Sequence, residues 1–168
     1  MPLALKLENA GNRFDKYKSV LIVPCNVCPK MCLAAEQKCP LIDALGGPGK
    51  DCFSGYIGNI RKTLSARGIN TGVFHVPLRA PMMCLWPMGL RNRLSRESKK
   101  FEAIAVIGCE SAVATVAGAV DLPGDAIVQM TENRGIANFM MEMHLPFRIE
   151  LIPSPQGPIL LDMDELKK

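Results

Sequence analysis

The feature that most constrains the fold is an apolar run that ends in a proline and leads directly into three closely spaced cysteines. Residues 19–24 read Ser-Val-Leu-Ile-Val-Pro, and the next eight positions contain Cys25, Cys28 and Cys32. Because no polar residue alternates within the run, it predicts a strand buried on both faces, as in a parallel sheet. Three thiols then follow the carboxyl end of this strand, where open α/β sheets bind ligands. We expect the amides of a following helix to lower the pKa of these thiols.

The rest of the chain alternates apolar runs with segments of helical periodicity. Strands are predicted over about residues 71–78, 101–109, 125–130 and 147–152, and helices over about 33–38, 57–66, 88–100, 111–120 and 132–143. This alternation predicts an α/β fold, a single Rossmann-like domain over residues 1–168 with a mainly parallel sheet and helices on both faces. Residues 1–17 are expected to form a lead-in, residues 46–58 an exposed glycine-rich loop, and residues 153–168 a proline-rich tail.

Hydrophobic content and charge exclude several classes of protein. Hydrophobic residues make up 48% of the 168 positions, which is typical of a globular domain. The sequence has no membrane-spanning run and no signal-peptide pattern, so a cytoplasmic protein is expected. The net charge is only +4, and the basic segment 91–100 lacks stacking aromatics, which predicts a solvated helix face or a docking surface and no nucleic-acid site.

The cysteine content indicates a metal site built mainly from sulfur. The chain has seven cysteines but only two histidines, His75 and His144. Disulfides are not expected in a reducing cytosol, so clustered cysteines are better explained by metal binding or thiol chemistry. His75 falls within a predicted strand and is interpreted as a core residue, whereas His144 is expected near the surface.

Two isolated cysteines fall at positions equivalent to that of the triplet. Cys84 follows the second predicted strand, and Cys109 ends the third. Because the carboxyl ends of parallel strands lie on one edge of the sheet, these thiols are expected to meet the triplet there. The candidate cofactor and metal ligands are Cys25, Cys28, Cys32, Cys84 and Cys109. Cys39 and Cys52 are interpreted as bystanders or as ligands of a second site.

This set of thiols suits more than one chemistry. A [4Fe–4S] cluster takes four thiolates in a partly apolar pocket, whereas zinc would be held by a tetrahedral set of four. The Cys-x2-Cys-x3-Cys spacing has no second Cys-x2-Cys partner, which favours the cluster over zinc. A thiol-disulfide redox enzyme using Cys25 or Cys28 is a third possibility. Free cysteines that simply pack as small hydrophobic residues are the alternative to any site, most plausibly for Cys109.

Two segments of the chain resemble a known family. Residues 18–32, and residues 101–109 with the Ala-Val-Ala-Thr-Val-Ala run after them, are similar to the cysteine-rich N-terminal domain of the small subunit of anaerobic bacterial methylenetetrahydrofolate reductase. The similarity covers about residues 15–130, and the cysteine triplet is its most specific part. The family continues into a cysteine-rich ribbon, whereas the last cysteine of this chain is Cys109.

The resemblance implies a subunit that holds an iron–sulfur cluster and supports electron flow to a flavin-containing catalytic subunit or another redox protein. Such a protein would itself be non-catalytic and part of a hetero-oligomer in an anaerobic redox or one-carbon complex. The small subunit of that family is not expected to bind the folate.

Overall fold

A four-stranded parallel sheet forms the centre of the computed structural model, which describes residues 3–40, 42–43, 52–77, 80–145 and 148–153. The helices are α1 (Cys28–Gln37), α2 (Cys52–Ala66), α3 (Met88–Ser98) and α4 (Glu110–Ala117). The strands are β1 (Leu3–Leu7), β2 (Ser19–Pro24), β3 (Ile42–Asp43), β4 (Asn70–Val73), β5 (Ala103–Ile107), β6 (Ile127–Gln129), β7 (Thr131–Ile136), β8 (Phe139–His144) and β9 (Arg148–Pro153). Short 3₁₀ turns cover Met83–Leu85 and Gly124–Ala126.

The central sheet reverses its direction of growth at β2. Its strand order is β4-β2-β5-β6, and every neighbouring pair is parallel. The chain passes from β2 to β4 on one side and then returns to β5 on the other side of β2. The carboxyl ends of β2 and β5 therefore flank the topological switch point, where a crevice is left between outgoing loops. The α/β class is confirmed.

Helices cover both faces of this sheet, as the apolar strand sequences predict. Alternate residues of β2 enter two separate cores. Val20 and Ile22 pack with residues of α1 and α2, whereas Leu21 and Val23 pack with residues of α3 and α4. Because β2 and β5 are buried on both faces, their ends cannot shift without disturbing both cores.

The predicted helix over residues 132–143 is wrong, because this segment forms two antiparallel strands. β7 pairs with β1, and β8 pairs with β9 in a three-stranded sheet ordered β3-β9-β8. Gly135 has a φ of 113°, and its N–H donates to the side chain of Asn133 at 3.0 Å. This backbone geometry is incompatible with a helix, so the methionine-rich pattern was misleading. The sheet content is consequently less parallel than predicted.

Several predicted boundaries also need correction. The lead-in 1–17 contains β1, and α2 already begins at Cys52, so the second half of the predicted glycine-rich loop is helical. The predicted edge strand 147–152 is observed as Arg148–Pro153, with partners on both sides. Residues 44–51 and 154–168 lie outside the described residues. Within the described ranges, no helix is long and apolar enough to cross a membrane.

Candidate metal centre

Two of the predicted ligands lie where β2 and β5 end, on either side of the switch point. The N–H of Cys25 donates to the carbonyl of Ile107 at 2.8 Å, which extends the β2–β5 ladder one residue past β2. Gly108 separates Ile107 from Cys109, and a Cβ added there would lie 3.3 Å from the Cβ of Cys25. The two strand ends can therefore approach this closely because position 108 carries no side chain.

Helices begin at two of the thiols. Cys28 is the first residue of α1, and Cys109 is the N-cap of α4. Neither cap makes a side-chain hydrogen bond to the helix, so the N–H groups of Glu110 and Ser111 at the start of α4 have no intrahelical partner, whereas Pro29 leaves α1 with fewer such groups. These amides give the crevice a partial positive charge, which favours a negatively charged ligand.

The turn that carries Cys84 lies against the end of β2. The carbonyl of Pro81 accepts a hydrogen bond from the N–H of Asn26 at 3.2 Å and faces the thiol of Cys25 at 3.8 Å. The 3₁₀ turn Met83–Leu85 also packs against α4, the helix that Cys109 caps. Cys84 is thus brought to the same crevice, and its side chain is exposed at the rim.

Buried apolar residues hold this turn in place. Met83 is fully buried, and the ring of Trp86 lies 5.4 Å from the ring of Phe74, centroid to centroid. The indole N–H of Trp86 donates to the carbonyl of Ala80 at 3.0 Å, which closes the loop on itself. The predicted apolar surroundings of the site are therefore present on the Cys84 side.

Burial raises the pKa of two thiols of the crevice, Cys25 and Cys28. Burial raises the pKa of Cys25, and the neighbouring Cys28 and Cys109 raise it further. Burial likewise raises the pKa of Cys28, with repulsion from Cys109 and Cys84 adding to it. Cys25 and Cys28 are thus each affected by other thiols of the predicted set. The predicted lowering of the pKa is wrong for Cys25 and Cys28, because burial outweighs the backbone N–H groups that favour the thiolate.

Cys32 is placed differently from the other four. Its buried thiol accepts a hydrogen bond from the N–H of Leu5 at 3.3 Å and donates to the carbonyl of Leu3 at 3.2 Å. Burial raises its pKa, and Cys28 is the one cysteine that adds to the effect. Cys32 therefore joins α1 to β1, a strand that the sequence did not reveal.

Cys39 and Cys52 form a disulfide, which corrects the expectation of free thiols. Their Cα atoms are 6.6 Å apart, and the bond connects the residues after α1 to the first residue of α2. The other five cysteines, which are the five predicted ligands, are free. Neither Cys39 nor Cys52 is available as a ligand of a second site in this state.

As placed in the structure, the described thiols do not form a compact group of three. A zinc ion with Zn–S bonds of about 2.3 Å holds its sulfurs about 3.8 Å apart. In the part of the chain that the structure describes, no three thiols have sulfurs within 4.8 Å of one another. The group that meets this limit is Glu142, His144 and Glu150, on the β8–β9 hairpin.

The two histidines are both exposed. His144 is exposed as predicted, whereas the interpretation of His75 as a core residue is wrong.

The residues that position Cys109 were not predicted, because they lie more than 20 positions beyond Gly108 in the chain. The carbonyl of Gly108 accepts hydrogen bonds from the hydroxyl of Thr131 at 2.5 Å and from the amide of Gln129 at 3.2 Å. Thr131 is buried, so these bonds fix the peptide directly before Cys109. A glycine between an apolar strand and a cysteine was the available signal.

Comparisons with protein-family models, curated proteins and solved structures returned no match to this chain.

Proposed function

We propose that this protein is a Rossmann-like accessory subunit that binds one [4Fe–4S] cluster through Cys25, Cys28, Cys84 and Cys109. The observation that carries the proposal is the position of four free thiols around the switch point of the parallel sheet: Cys25 and Cys109 follow β2 and β5, Cys28 begins α1, and the turn that carries Cys84 packs against α4. By its resemblance to the methylenetetrahydrofolate reductase small subunit, it serves a flavin-containing catalytic subunit or another redox protein in an anaerobic one-carbon or redox complex.

The number and type of ligands support a cluster. A [4Fe–4S] cluster takes four cysteine thiolates, and its potential depends on burial and on hydrogen bonds to its sulfurs. The proposal takes four of the five predicted ligands and leaves out Cys32, because its thiol is hydrogen-bonded to the backbone of β1. The N–H groups at the starts of α1 and α4 suit the negative charge of thiolate-ligated iron.

Thiol spacing and pKa favour the cluster over the two alternatives. The Cys-x2-Cys-x3-Cys spacing has no second Cys-x2-Cys partner, which favours the cluster over zinc. A thiol-disulfide enzyme needs a nucleophilic thiolate at neutral pH, whereas burial raises the pKa of both Cys25 and Cys28. Thiols with raised pKa values are protonated until a metal displaces the protons, so loading releases protons and is favoured at higher pH.

Cys25 and Cys84 have different roles in this proposal. Cys25 is buried and fixed by the β2–β5 ladder, whereas Cys84 is exposed on its turn. When bound, the cluster would supply one-electron redox chemistry. The chain would cover one side of the cluster and exclude water there, and it would leave the Cys84 side exposed to a partner protein.

Metal and sulfide analysis of anaerobically purified or reconstituted protein tests the proposal. We expect about four iron and four sulfide per chain and broad visible absorbance that bleaches on reduction. Serine substitution of Cys25, Cys28, Cys84 or Cys109 should reduce the iron content sharply. Cys32→Ser is the matched control and should retain the cluster. Colourless protein with stoichiometric zinc would refute the proposal, and so would loss of iron in Cys32→Ser but not in Cys84→Ser.

A further inference from the structure

Positive charge is concentrated in one part of this nearly neutral chain. Residues 53–100 contain nine lysines and arginines but a single acidic residue, Glu97. The rest of the chain therefore carries a net negative charge, since the whole has a net charge of +4. Of these nine cations, Arg61 and Lys62 lie on α2, on one face of the sheet, whereas Arg91, Arg93 and Arg96 lie on α3, on the other face.

Exposed apolar side chains surround Cys84 within this basic region. Leu85 and Met88 are each 69% exposed, and Met82 is 40% exposed. Met82 and Leu85 line a groove of about 690 Å³ whose walls include Pro81, Pro87 and Leu90, and Met88 follows Pro87 in the chain. Clustered apolar side chains beside a rim of polar residues are typical of a protein interface. We call the surface formed by Met82, Leu85 and Met88 the Cys84 face.

Arginines of α3 border the Cys84 face. Arg93 lines the groove, and its guanidinium lies 4.4 Å from the centre of the Phe74 ring. The Nε of Arg91 donates to the carbonyl of Trp86 at 3.2 Å, which ties α3 to the turn that carries Cys84. Arg96 is exposed one turn further along α3. Glu97 pairs with Arg93 at 3.3 Å and is the single acid of this helix, so the rim remains positive.

We propose that the Cys84 face is the docking site for a small acidic electron-carrier protein. The partner would place an apolar side chain against Leu85 and Met88 and carboxylates against the arginines of α3. Charge complementarity of this kind speeds encounter and fixes orientation, while the desolvated apolar centre supplies affinity. The inference rests on the proposed function, because Cys84 is the exposed member of the four proposed ligands and lies within this face.

A protein partner fits this surface better than a nucleic acid does. The exposed centre consists of leucine and methionine, and the nearby aromatic rings of Phe74 and Trp86 are buried. Single-stranded nucleic acids are bound by exposed aromatic rings that stack on bases. An apolar centre with a cationic rim instead matches the arrangement of protein–protein interfaces.

Calorimetric titration with oxidised flavodoxin, a small acidic carrier, tests the docking site. The basic carrier cytochrome c serves as the opposite-charge probe. We expect flavodoxin to bind, cytochrome c not to bind, and the flavodoxin affinity to fall as ionic strength rises. The double variants Leu85→Ser/Met88→Ser and Arg91→Glu/Arg96→Glu should each weaken binding by about tenfold.

A matched charge reversal on the other face of the sheet provides the control. Arg61 and Lys62 are exposed on α2, so Arg61→Glu/Lys62→Glu makes the same change in net charge away from the Cys84 face. Flavodoxin binding should be unchanged in this control, within about twofold. Equal weakening by the α2 and α3 variants, equal binding of both carriers, or no flavodoxin binding would overturn the inference.

Iron content separates the failure of the docking site from that of the proposed function. Iron-loaded protein that does not bind flavodoxin would refute the docking site and retain the cluster. Protein that binds flavodoxin through the Cys84 face but never holds iron would refute the cluster and, with it, the assignment of this face to electron transfer. Tighter binding of a 20-base-pair DNA duplex than of flavodoxin at equal salt would replace the protein partner by a nucleic acid.

Discussion

Adding a methyl group at Gly108 should damage both the fold and the proposed site. A Cβ at this position would lie 2.6 Å from the Cβ of Ala112 and 3.3 Å from that of Cys25. Both neighbours are buried, and both belong to elements that are packed on the sheet. The first distance is far shorter than a normal carbon–carbon contact of about 3.5–4.0 Å, so α4 must move outward relative to β2.

The expected cost follows from comparable overpacking in protein cores. We expect Gly108→Ala to lower the free energy of unfolding by about 1–3 kcal/mol. For a chain of 168 residues, this loss corresponds to a melting temperature lower by about 3–10 °C. Because Cys109 is the N-cap of α4, the same movement should reduce the iron content of reconstituted protein.

Thermal unfolding followed by circular dichroism provides the assay, with two further variants. Gly58 lies inside α2 with no atom near an added Cβ, so Gly58→Ala should be neutral or stabilising by about 0.5–1 kcal/mol. Replacing Ala112 by glycine in the Gly108→Ala background removes the closest contact, so part of the lost stability should return after allowing for the helix cost of glycine. Equal melting temperatures for Gly108→Ala and Gly58→Ala would refute this account of the strand ends.

Three further predictions concern titration and covalent structure. In metal-free protein, burial raises the pKa of Cys25 above its ordinary 9.0. The stability that the protonated thiol contributes should therefore be complete below pH 9 and be lost as the pH rises through the folded pKa. Urea unfolding across this range should show a smaller fall in the free energy of unfolding for Cys25→Ala than for the unchanged protein. Burial raises the pKa of Tyr56 to about 12, and its hydroxyl donates a hydrogen bond to the carbonyl of Glu8 at 2.5 Å. Tyr56→Phe should lower the free energy of unfolding by about 1 kcal/mol and abolish the ultraviolet ionisation step near that pH. Reduction of the Cys39–Cys52 bond, which spans 13 positions, should lower the free energy of unfolding by about 2–3 kcal/mol. The same midpoint of urea unfolding with and without reductant would contradict this prediction.

The central sheet could be predicted because its strands are buried on both faces. The bounds of β2 agree with the prediction, and β5 and β6 lie within the predicted runs. An uninterrupted apolar run between turn residues leaves few alternatives to an internal strand. The shared edge then follows from parallel pairing, which is why Cys84 and Cys109 could be assigned to the same region as the triplet.

The antiparallel elements could not be predicted because they depend on partners far away in the sequence. β1 pairs with β7 across more than 120 positions, and its sequence Leu-Ala-Leu-Lys-Leu is equally compatible with a helix. Residues 139–143 are rich in methionine, which has high helix propensity, yet they are held extended by β9. The pairing of Cys32 with the backbone of β1 was hidden for the same reason.

The pKa values of the thiols could not be derived from position alone. A cysteine at the start of a helix is stabilised as a thiolate by nearby amides, but burial has the opposite effect and its size depends on neighbouring loops. For Cys25 the neighbouring loop is the one that contains Pro81, 56 positions away. Sequence patterns identify the strand end but not the extent to which a distant loop covers it.

The reversal of strand order at β2 also has a bearing on how the protein is synthesised. A ribosome completes β2 early, but the crevice beside it remains open until β5 has emerged and inserted on the far side. Before β5 has emerged, an assembly factor that delivered iron to the nascent chain would meet at most three of the four proposed ligands, because Cys109 follows β5. We therefore expect delivery to follow the emergence of residue 109, and fragments that end before residue 109 not to hold the proposed cluster.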